Sequence, residues 1–100
     1  MAKPENMQIT VEFTTLARFM AGEARIHLTL PVETTYGEIV TCLAELYPAM
    51  VGIIIAEDKK SLLNSNLFII NGEMSQPAFI MNESPRDGDR LTIVSVATGG

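Results

Sequence analysis

The chain has 100 residues, enough for one domain with a modest hydrophobic core and too few for two. Apolar residues make up 47% of it and charged residues 19%, as in ordinary soluble globular domains. The net charge is −5 and the seven basic residues are scattered, so no basic surface that neutralises phosphates is expected. Nucleic acid is therefore not an expected partner, whereas a basic protein surface is a better candidate.

Cysteine content and hydropathy exclude further classes of site. Cys42 is the only cysteine, which rules out an intramolecular disulfide and a cysteine metal cluster. The longest apolar stretch, residues 50–56, is too short to cross a bilayer, and residues 1–6 lack the apolar core of a signal peptide. We therefore expect a cytoplasmic protein with no membrane partner.

The first part of the chain predicts two strands separated by a helical turn. Apolar and polar residues alternate over residues 7–13 and again over residues 26–30, which is typical of half-buried strands. Between them, Leu16, Phe19 and Met20 have helical spacing. This spacing predicts a short helical turn, which Gly22 would end.

The clearest helical signal lies just before Pro48. Thr35 and Glu38 form the sequence pattern of a capping box, in which each side chain binds a free backbone N–H of the first turn. The apolar residues that follow share one wide face of the helix: Tyr36, Ile39, Val40, Leu43, Leu46 and Tyr47. Pro48 disfavours helical geometry in the residue before it, so the helix is expected to end at Tyr47.

The second half predicts more strands and tight turns. Residues 67–70 form a continuous apolar run, which is compatible with a strand covered on both faces. Asn71-Gly72 has the composition of a type I′ turn. A last strand over residues 91–96 places Val94 and Val96 on one face. The order of elements indicates an α+β roll, with a mixed sheet packed on one main helix.

Individual polar residues do not assemble into a catalytic centre. His27, the sole histidine, is expected on the solvent face of a strand, and no second imidazole could join it in a metal site. Cys42 lies at the edge of the apolar face of the helix, where an inert half-buried thiol is expected. Asp87 and Asp89 flank a glycine and are interpreted as turn residues. We predict no enzyme, no metal site and no bound cofactor.

The end of the chain has a chemical implication. Ala97, Thr98 and Gly99 would thread into a partner, extending with Gly100 about 13 Å beyond the last strand. Glycines suit a narrow channel because they have no Cβ. An ionised carboxylate is a poor electrophile at neutral pH, so Gly100 would have to be activated, for instance by adenylation.

We therefore expect two parts, a domain over residues 1–96 and a flexible tail over residues 97–100. A solvated tail without function is the alternative interpretation of the same residues.

Residues 87–100 resemble the C-terminal signature of the MoaD/ThiS family of sulfur carriers: a Gly-Asp turn, an apolar strand and a terminal Gly-Gly. Residues 69–73 are similar to the strand and Asn-Gly segment of that family, and residues 43–48 to its helix end. Residues 13–18 resemble the start of the molybdopterin-synthase small subunit. The resemblance covers nearly the whole chain and implies a ubiquitin-like β-grasp fold.

One departure leaves the pathway open. Ser95-Val96 stands where the molybdopterin-type carrier usually has Pro-Pro, and in this feature the chain is more similar to the thiamine-type carrier. The length of the chain and its predicted helical turn are more similar to the molybdopterin type.

The resemblance also implies a mechanism and partners. A ubiquitin-activating-type adenylyltransferase would adenylate Gly100, and a persulfide sulfur would replace AMP. The thiocarboxylate would then donate sulfur in molybdopterin or thiamine-type cofactor biosynthesis. A molybdopterin-synthase large subunit or a thiazole synthase would be the second partner. Phe68, Val94 and Val96 are candidate docking positions, and each could equally belong to the core.

Two other functions fit the same pattern. A ubiquitin-like modifier, joined to lysines through Gly100, would share the fold, the tail and the adenylation step. A plain β-grasp binding module with an inert tail is the third interpretation.

Overall fold

The strands form one sheet whose central pair is parallel. The computed structural model describes residues 5–63, 66–73 and 81–95. Its elements, in chain order, are β1 (Asn6–Phe13), α1 (Thr15–Ala21), β2 (Arg25–Pro31), α2 (Tyr36–Leu46), a 3₁₀ turn (Pro48–Met50), β3 (Asn66–Ile70) and β4 (Arg90–Ser95). The strand order is β2-β1-β4-β3. β1 runs parallel to β4, and the other two pairs are antiparallel. The predicted α+β class with a mixed sheet is confirmed.

The core lies between α2 and one face of the sheet. The predicted alternation in β1 is confirmed, with its apolar side chains buried: Met7, Ile9, Val11 and Phe13. Leu91 and Ile93 of β4 and Phe68 of β3 are buried in the same way and extend this face across the sheet. The opposite face of the sheet carries the intervening residues.

Helix α2 is fixed by its cap and by its apolar face. Thr35 Oγ1 accepts a hydrogen bond from the backbone N–H of Glu38 at 3.1 Å, and Glu38 Oε1 accepts one from the backbone N–H of Thr35 at 2.9 Å. Ile39, Val40 and Leu43 are fully buried. The capping box and the helix end before Pro48 are therefore confirmed.

Gly37, in the first turn of α2, is needed for close packing. Its N–H donates to the Met81 carbonyl oxygen at 2.8 Å. A Cβ at this position would lie 3.1 Å from the Lys60 carbonyl oxygen and 3.2 Å from that of Met81, which is tighter than ordinary contact. Glycine costs a helix about 1 kcal/mol relative to alanine, and here it lets two loop segments approach the helix backbone.

Helix α1 confirms the predicted helical turn and its end at Gly22, and it leaves two of its large apolar side chains in solvent. Ala17 is buried and Met20 packs partly against the core, but Phe19 is 84% exposed and Leu16 also faces solvent. Ala17, Met20 and Ala21 have the same i, i+3, i+4 spacing as Leu16, Phe19 and Met20, so the spacing predicts the helix without deciding which stripe is buried. The placement of the helix in the fold selects the stripe of Ala17 for the core.

The turn predictions are confirmed. Asn71 and Gly72 have φ angles of 54° and 78°, the positive values that a type I′ turn requires. Asp87 Oδ1 accepts from the Gln8 N–H at 2.7 Å, and Asp89 Oδ2 accepts from the Arg86 N–H at 2.9 Å. Asp89 therefore stabilises the turn itself, whereas Asp87 joins the turn to β1, the strand that contains Gln8.

The segment after Pro48, whose pattern allows a buried turn or a short strand, forms the turn. Met50, Ile54 and Ile55 are buried beneath the end of α2. Within the described part of the chain, neither helix has the length and hydropathy needed to cross a membrane.

Candidate docking face and tail exit

The Gly-Gly segment follows β4, a central strand of the sheet. β4 is hydrogen-bonded to β1 on one side and to β3 on the other, and it ends at Ser95. Val96 and the predicted tail (residues 97–100) lie outside the described residues, so the boundary between domain and tail stays a prediction. A strand that is paired on both sides gives this segment a fixed point of attachment.

β4 ends beside the start of α1. Because β1 and β4 are parallel, their last residues lie at the same edge of the sheet, where Phe13 is paired with Ile93. Thr14 Oγ1 donates a hydrogen bond of 2.8 Å to the carbonyl oxygen of Ile93. This bond joins the β1–α1 junction to the strand that leads to the tail. We call this edge of the sheet the exit edge.

The sheet face opposite α2 carries an apolar patch. Leu67 and Ile69 alternate with the buried Phe68 along β3, and Leu67 lies opposite Val94 of β4 in the strand register. All three members of the patch, Leu67, Ile69 and Val94, are half-buried. Neighbouring apolar side chains that stay partly exposed are typical of interaction surfaces. The patch includes one of the predicted docking positions, Val94.

Phe68 does not belong to this surface. Its side chain is 0% exposed, and its ring centroid lies 6.1 Å from that of Tyr36 in α2. Of the two positions predicted for Phe68, docking surface or core, the structure shows the core, because the alternation of β3 directs the side chain inward. Sequence reasoning missed Leu67 and Ile69, although the period of two within the apolar run could have separated them from Phe68.

Charged side chains occupy the neighbouring part of the same face. Glu12 on β1 lies between Arg25 on β2 and Arg90 on β4, with N–O distances of 3.8 and 3.4 Å. Thr92 Oγ1 also donates to Glu12 Oε1 at 3.1 Å. Two guanidinium groups share one carboxylate, and both are largely exposed. The apolar patch is therefore bordered by a locally basic region, although the chain as a whole is acidic.

In the part of the chain that the structure describes, no three His, Cys, Asp or Glu side chains lie close enough together to hold a metal ion. Cys42 is half-buried, as predicted, and burial together with the charge of Glu45 raises the pKa of its thiol. A raised pKa keeps the thiol protonated and makes it a poor nucleophile. His27 is exposed, and its Nδ1 lies 3.1 Å from Thr10 Oγ1.

The fold matches solved structures of ubiquitin-like β-grasp proteins. SAMP1 from Haloferax volcanii gives a TM-score of 0.75 at 20% identity, covering 93% of this chain and 99% of that one. A Pyrococcus furiosus protein assigned as molybdopterin converting factor, subunit 1, gives 0.71 at 15% identity, covering 91% and 99%. Urm1 from Trypanosoma brucei gives 0.62 at 20% identity, covering 98% and 100%. No protein-family model and no curated protein matches the sequence.

The chain therefore has the ubiquitin-like β-grasp fold that its resemblance to the MoaD/ThiS carriers predicts. Its structural neighbours include both a MoaD-like subunit and ubiquitin-like modifiers. The fold is common to these roles, so the chemistry of the tail has to distinguish between them.

Proposed function

We propose that this chain is a sulfur carrier whose reacting group is the carboxylate of Gly100. The observation that supports the proposal most directly is the position of β4. This strand is paired on both sides, carries Val94 in the apolar patch and leads after Ser95 into the Gly-Gly segment. A rigid face would dock the partner while a slender segment, Ala97 to Gly99, reaches its active site.

The chemistry takes place in three steps. A carboxylate oxygen of Gly100 attacks the α-phosphorus of ATP on a ubiquitin-activating-type adenylyltransferase, and pyrophosphate leaves. The terminal sulfur of a persulfide then attacks the acyl carbon, and AMP leaves. A second thiol cleaves the resulting S–S bond, so that the donor becomes a disulfide and Gly100 carries a thiocarboxylate. Activation is necessary because a carboxylate at neutral pH is a poor electrophile.

The thiocarboxylate would supply sulfur for molybdopterin or thiamine-type cofactor biosynthesis in the cytoplasm. The receiving partner would be a molybdopterin-synthase large subunit or a thiazole synthase. Similarity to the Pyrococcus furiosus converting factor supports the first, and Ser95-Val96 supports the second. In either case, the partner is expected to present an apolar surface to Leu67, Ile69 and Val94 and acidic groups to the neighbouring guanidinium groups.

The test is a sulfur-transfer reaction followed by intact mass spectrometry. With an activating enzyme, ATP and a persulfide source, one oxygen of the chain should be exchanged for sulfur. Deleting Gly100 should abolish the exchange, and Gly99→Val should impair it because a β-branched side chain widens the segment. Cys42→Ala is the control that should react like the wild type. Loss of transfer in a folded Cys42→Ala variant would overturn the mechanism.

A ubiquitin-like modifier is the second candidate function. It is supported by the similarity to SAMP1 from Haloferax volcanii, whose name stands for small archaeal modifier protein 1. In that case, Gly100 would form an amide bond with lysines of other proteins after adenylation. Covalent adducts between this chain and other proteins that are not cleaved by added thiols, without sulfur transfer to a small molecule, would favour the modifier over the carrier.

A further inference from the structure

Helix α1 leaves an aromatic side chain in solvent next to the exit edge. Phe19 is the most exposed of the large apolar side chains in the described structure, and Leu16, three residues earlier, is also exposed. A groove of about 500 Å³ lies along this side of the helix, lined by Thr15, Arg18, Phe19, Gly22, Glu23 and Ala24. We call this surface the α1 groove. Neither Phe19 nor Leu16 belongs to the core cluster, so folding does not explain their apolar character.

The distance from the exit edge to the end of the chain indicates which partner would cover the groove. Thr14 is bonded to Ile93, and β4 ends two residues later at Ser95. Five residues follow Ser95 in the sequence, which span at most about 18 Å when fully extended. Helix α1 has seven residues and is only about 10 Å long. Any enzyme that holds the carboxylate of Gly100 must therefore approach the same edge as α1.

We infer that the α1 groove is a docking site for the enzyme that adenylates Gly100, and that it receives an apolar side chain projecting from that enzyme. The inference rests on the proposed function, and it adds a contact separate from the apolar patch of the sheet. Phe19 supplies a large rigid surface at one wall, and Gly22 leaves the groove open because it has no side chain. Aromatic residues of this kind often dominate the affinity of an interface.

The groove is held in place independently of any partner. Tyr47 OH donates to Glu23 Oε2 at 2.7 Å, which ties the end of α2 to the segment after α1. The Tyr47 ring packs edge-on against Phe13, with centroids 5.5 Å apart. Gly22 caps α1 in the left-handed conformation at φ 73°, and the two residues after it, Glu23 and Ala24, line the groove together with Phe19. A preformed groove reduces the conformational entropy lost on binding.

The test measures ATP–pyrophosphate exchange, the reversal of adenylation, by a ubiquitin-activating-type enzyme. The enzyme used is one whose exchange activity depends on the presence of this chain. Phe19→Ala should raise the KM for the chain about tenfold or more and change kcat less than about twofold, because docking is weakened and the reacting carboxylate is unchanged. Val32→Ala is the matched control, since Val32 is 44% exposed and follows Pro31, which pairs with Asn6 at the opposite edge. Its KM should equal that of the wild type.

A second measurement separates docking from chemistry. The chain lacking Gly100 should compete with the wild-type chain for the enzyme and so inhibit the exchange. It keeps the α1 groove and the apolar patch but lacks the reacting residue. Adding Phe19→Ala to that truncated chain should raise its inhibition constant by the same factor as the KM. Circular dichroism checks that both chains are folded.

The outcomes distinguish the inference from the proposed function. If the wild-type chain supports no exchange with any activating-type enzyme of its own cell, the proposed function fails and the α1 docking site fails with it. If the wild type is active and Phe19→Ala has an unchanged KM, only the α1 inference is overturned. An unchanged KM together with loss of a wild-type dimer in sedimentation would assign the groove to a second copy of this chain instead.

Discussion

The two helices use their apolar residues in opposite ways. Helix α2 directs Ile39, Val40 and Leu43 into the core, where they are fully buried against the sheet. Helix α1 contacts the core mainly through the small side chain of Ala17 and leaves Phe19 in solvent. One helix therefore builds the fold, and the other displays apolar surface at its edge. Helical spacing of apolar residues does not by itself distinguish these two roles.

The N-termini of the two helices also differ, in how their backbone N–H groups are capped. Thr35 caps α2 with its own side chain, whereas the hydroxyl of Thr14 makes no cap bond to α1 and binds the carbonyl oxygen of Ile93 instead. Thr15, the first residue of α1, has a φ of 48°, a conformation that β-branched residues rarely adopt. The start of α1 is therefore joined to β4, and no threonine side chain caps it.

The largest expected effect tests the core role of α2. Leu43→Ala should lower the free energy of unfolding by about 2–5 kcal/mol, because it leaves a cavity at a fully buried site. Leu46→Ala is the matched control: Leu46 lies on the same predicted stripe but is 52% exposed, so it should change stability by about 0.5 kcal/mol or less. Chemical denaturation measures both. Equal losses would contradict the helical phase described here.

The second largest effect on the free energy of unfolding is expected from removing the cap of α2. Thr35→Ala should cost about 1 kcal/mol, because the backbone N–H of Glu38 loses its hydrogen-bond acceptor. Thr35→Ser keeps a hydroxyl oxygen at the same place and should retain most of the stability. The denaturant midpoints of the two variants measure these losses of stability. An equally large loss in Thr35→Ser would show that the methyl group of Thr35 contributes more than the cap.

The pH dependence of the cap should be smaller but has a definite sign. The backbone hydrogen bond from Thr35, followed by the bond from its hydroxyl, lowers the pKa of Glu38. The charged cap therefore stabilises the fold fully above about pH 4.5, the ordinary pKa of the group, and this contribution is lost as the pH falls through the lowered value. The stability difference between the wild type and Glu38→Gln should shrink on acidification. A difference that grows below pH 4.5 would mean that the bond is absent.

The smallest expected effect on stability belongs to α1. Phe19→Ala should change the free energy of unfolding by no more than about 0.5 kcal/mol, because the ring is exposed and alanine is a better helix former. Thermal unfolding of the purified variant measures this. A loss comparable to that of Leu43→Ala would place the Phe19 ring in the core and remove the contrast between the helices.

Local patterns predicted most of the fold correctly. The alternation over residues 7–13, the Thr35–Glu38 capping box and the Asn71-Gly72 turn are short-range signals, and all three are confirmed. Each depends on contacts within a few residues of the chain, so the sequence alone contains the physical information. The candidate site was predicted less well, because docking residues are defined by which face of a sheet they share.

Phe68 and Leu67 show this limit. Both lie in one apolar run, and only the pairing of β3 with β4 and the packing of Tyr36 decide that Phe68 faces the core while Leu67 faces out. Gly37 is similar, since its cost to the helix is explained only by the carbonyl groups of Lys60 and Met81, which are distant in sequence.

The sequence by itself determined the elements of this protein, their order and the chemistry proposed for its Gly-Gly segment. Those features depend on residue type and short-range spacing, and they are readable without coordinates. The tertiary structure decided which apolar side chains are buried and which remain at the surface. It buried Phe68, exposed Phe19 and brought the end of β4 beside α1, because burial depends on contacts between segments that are far apart in the chain.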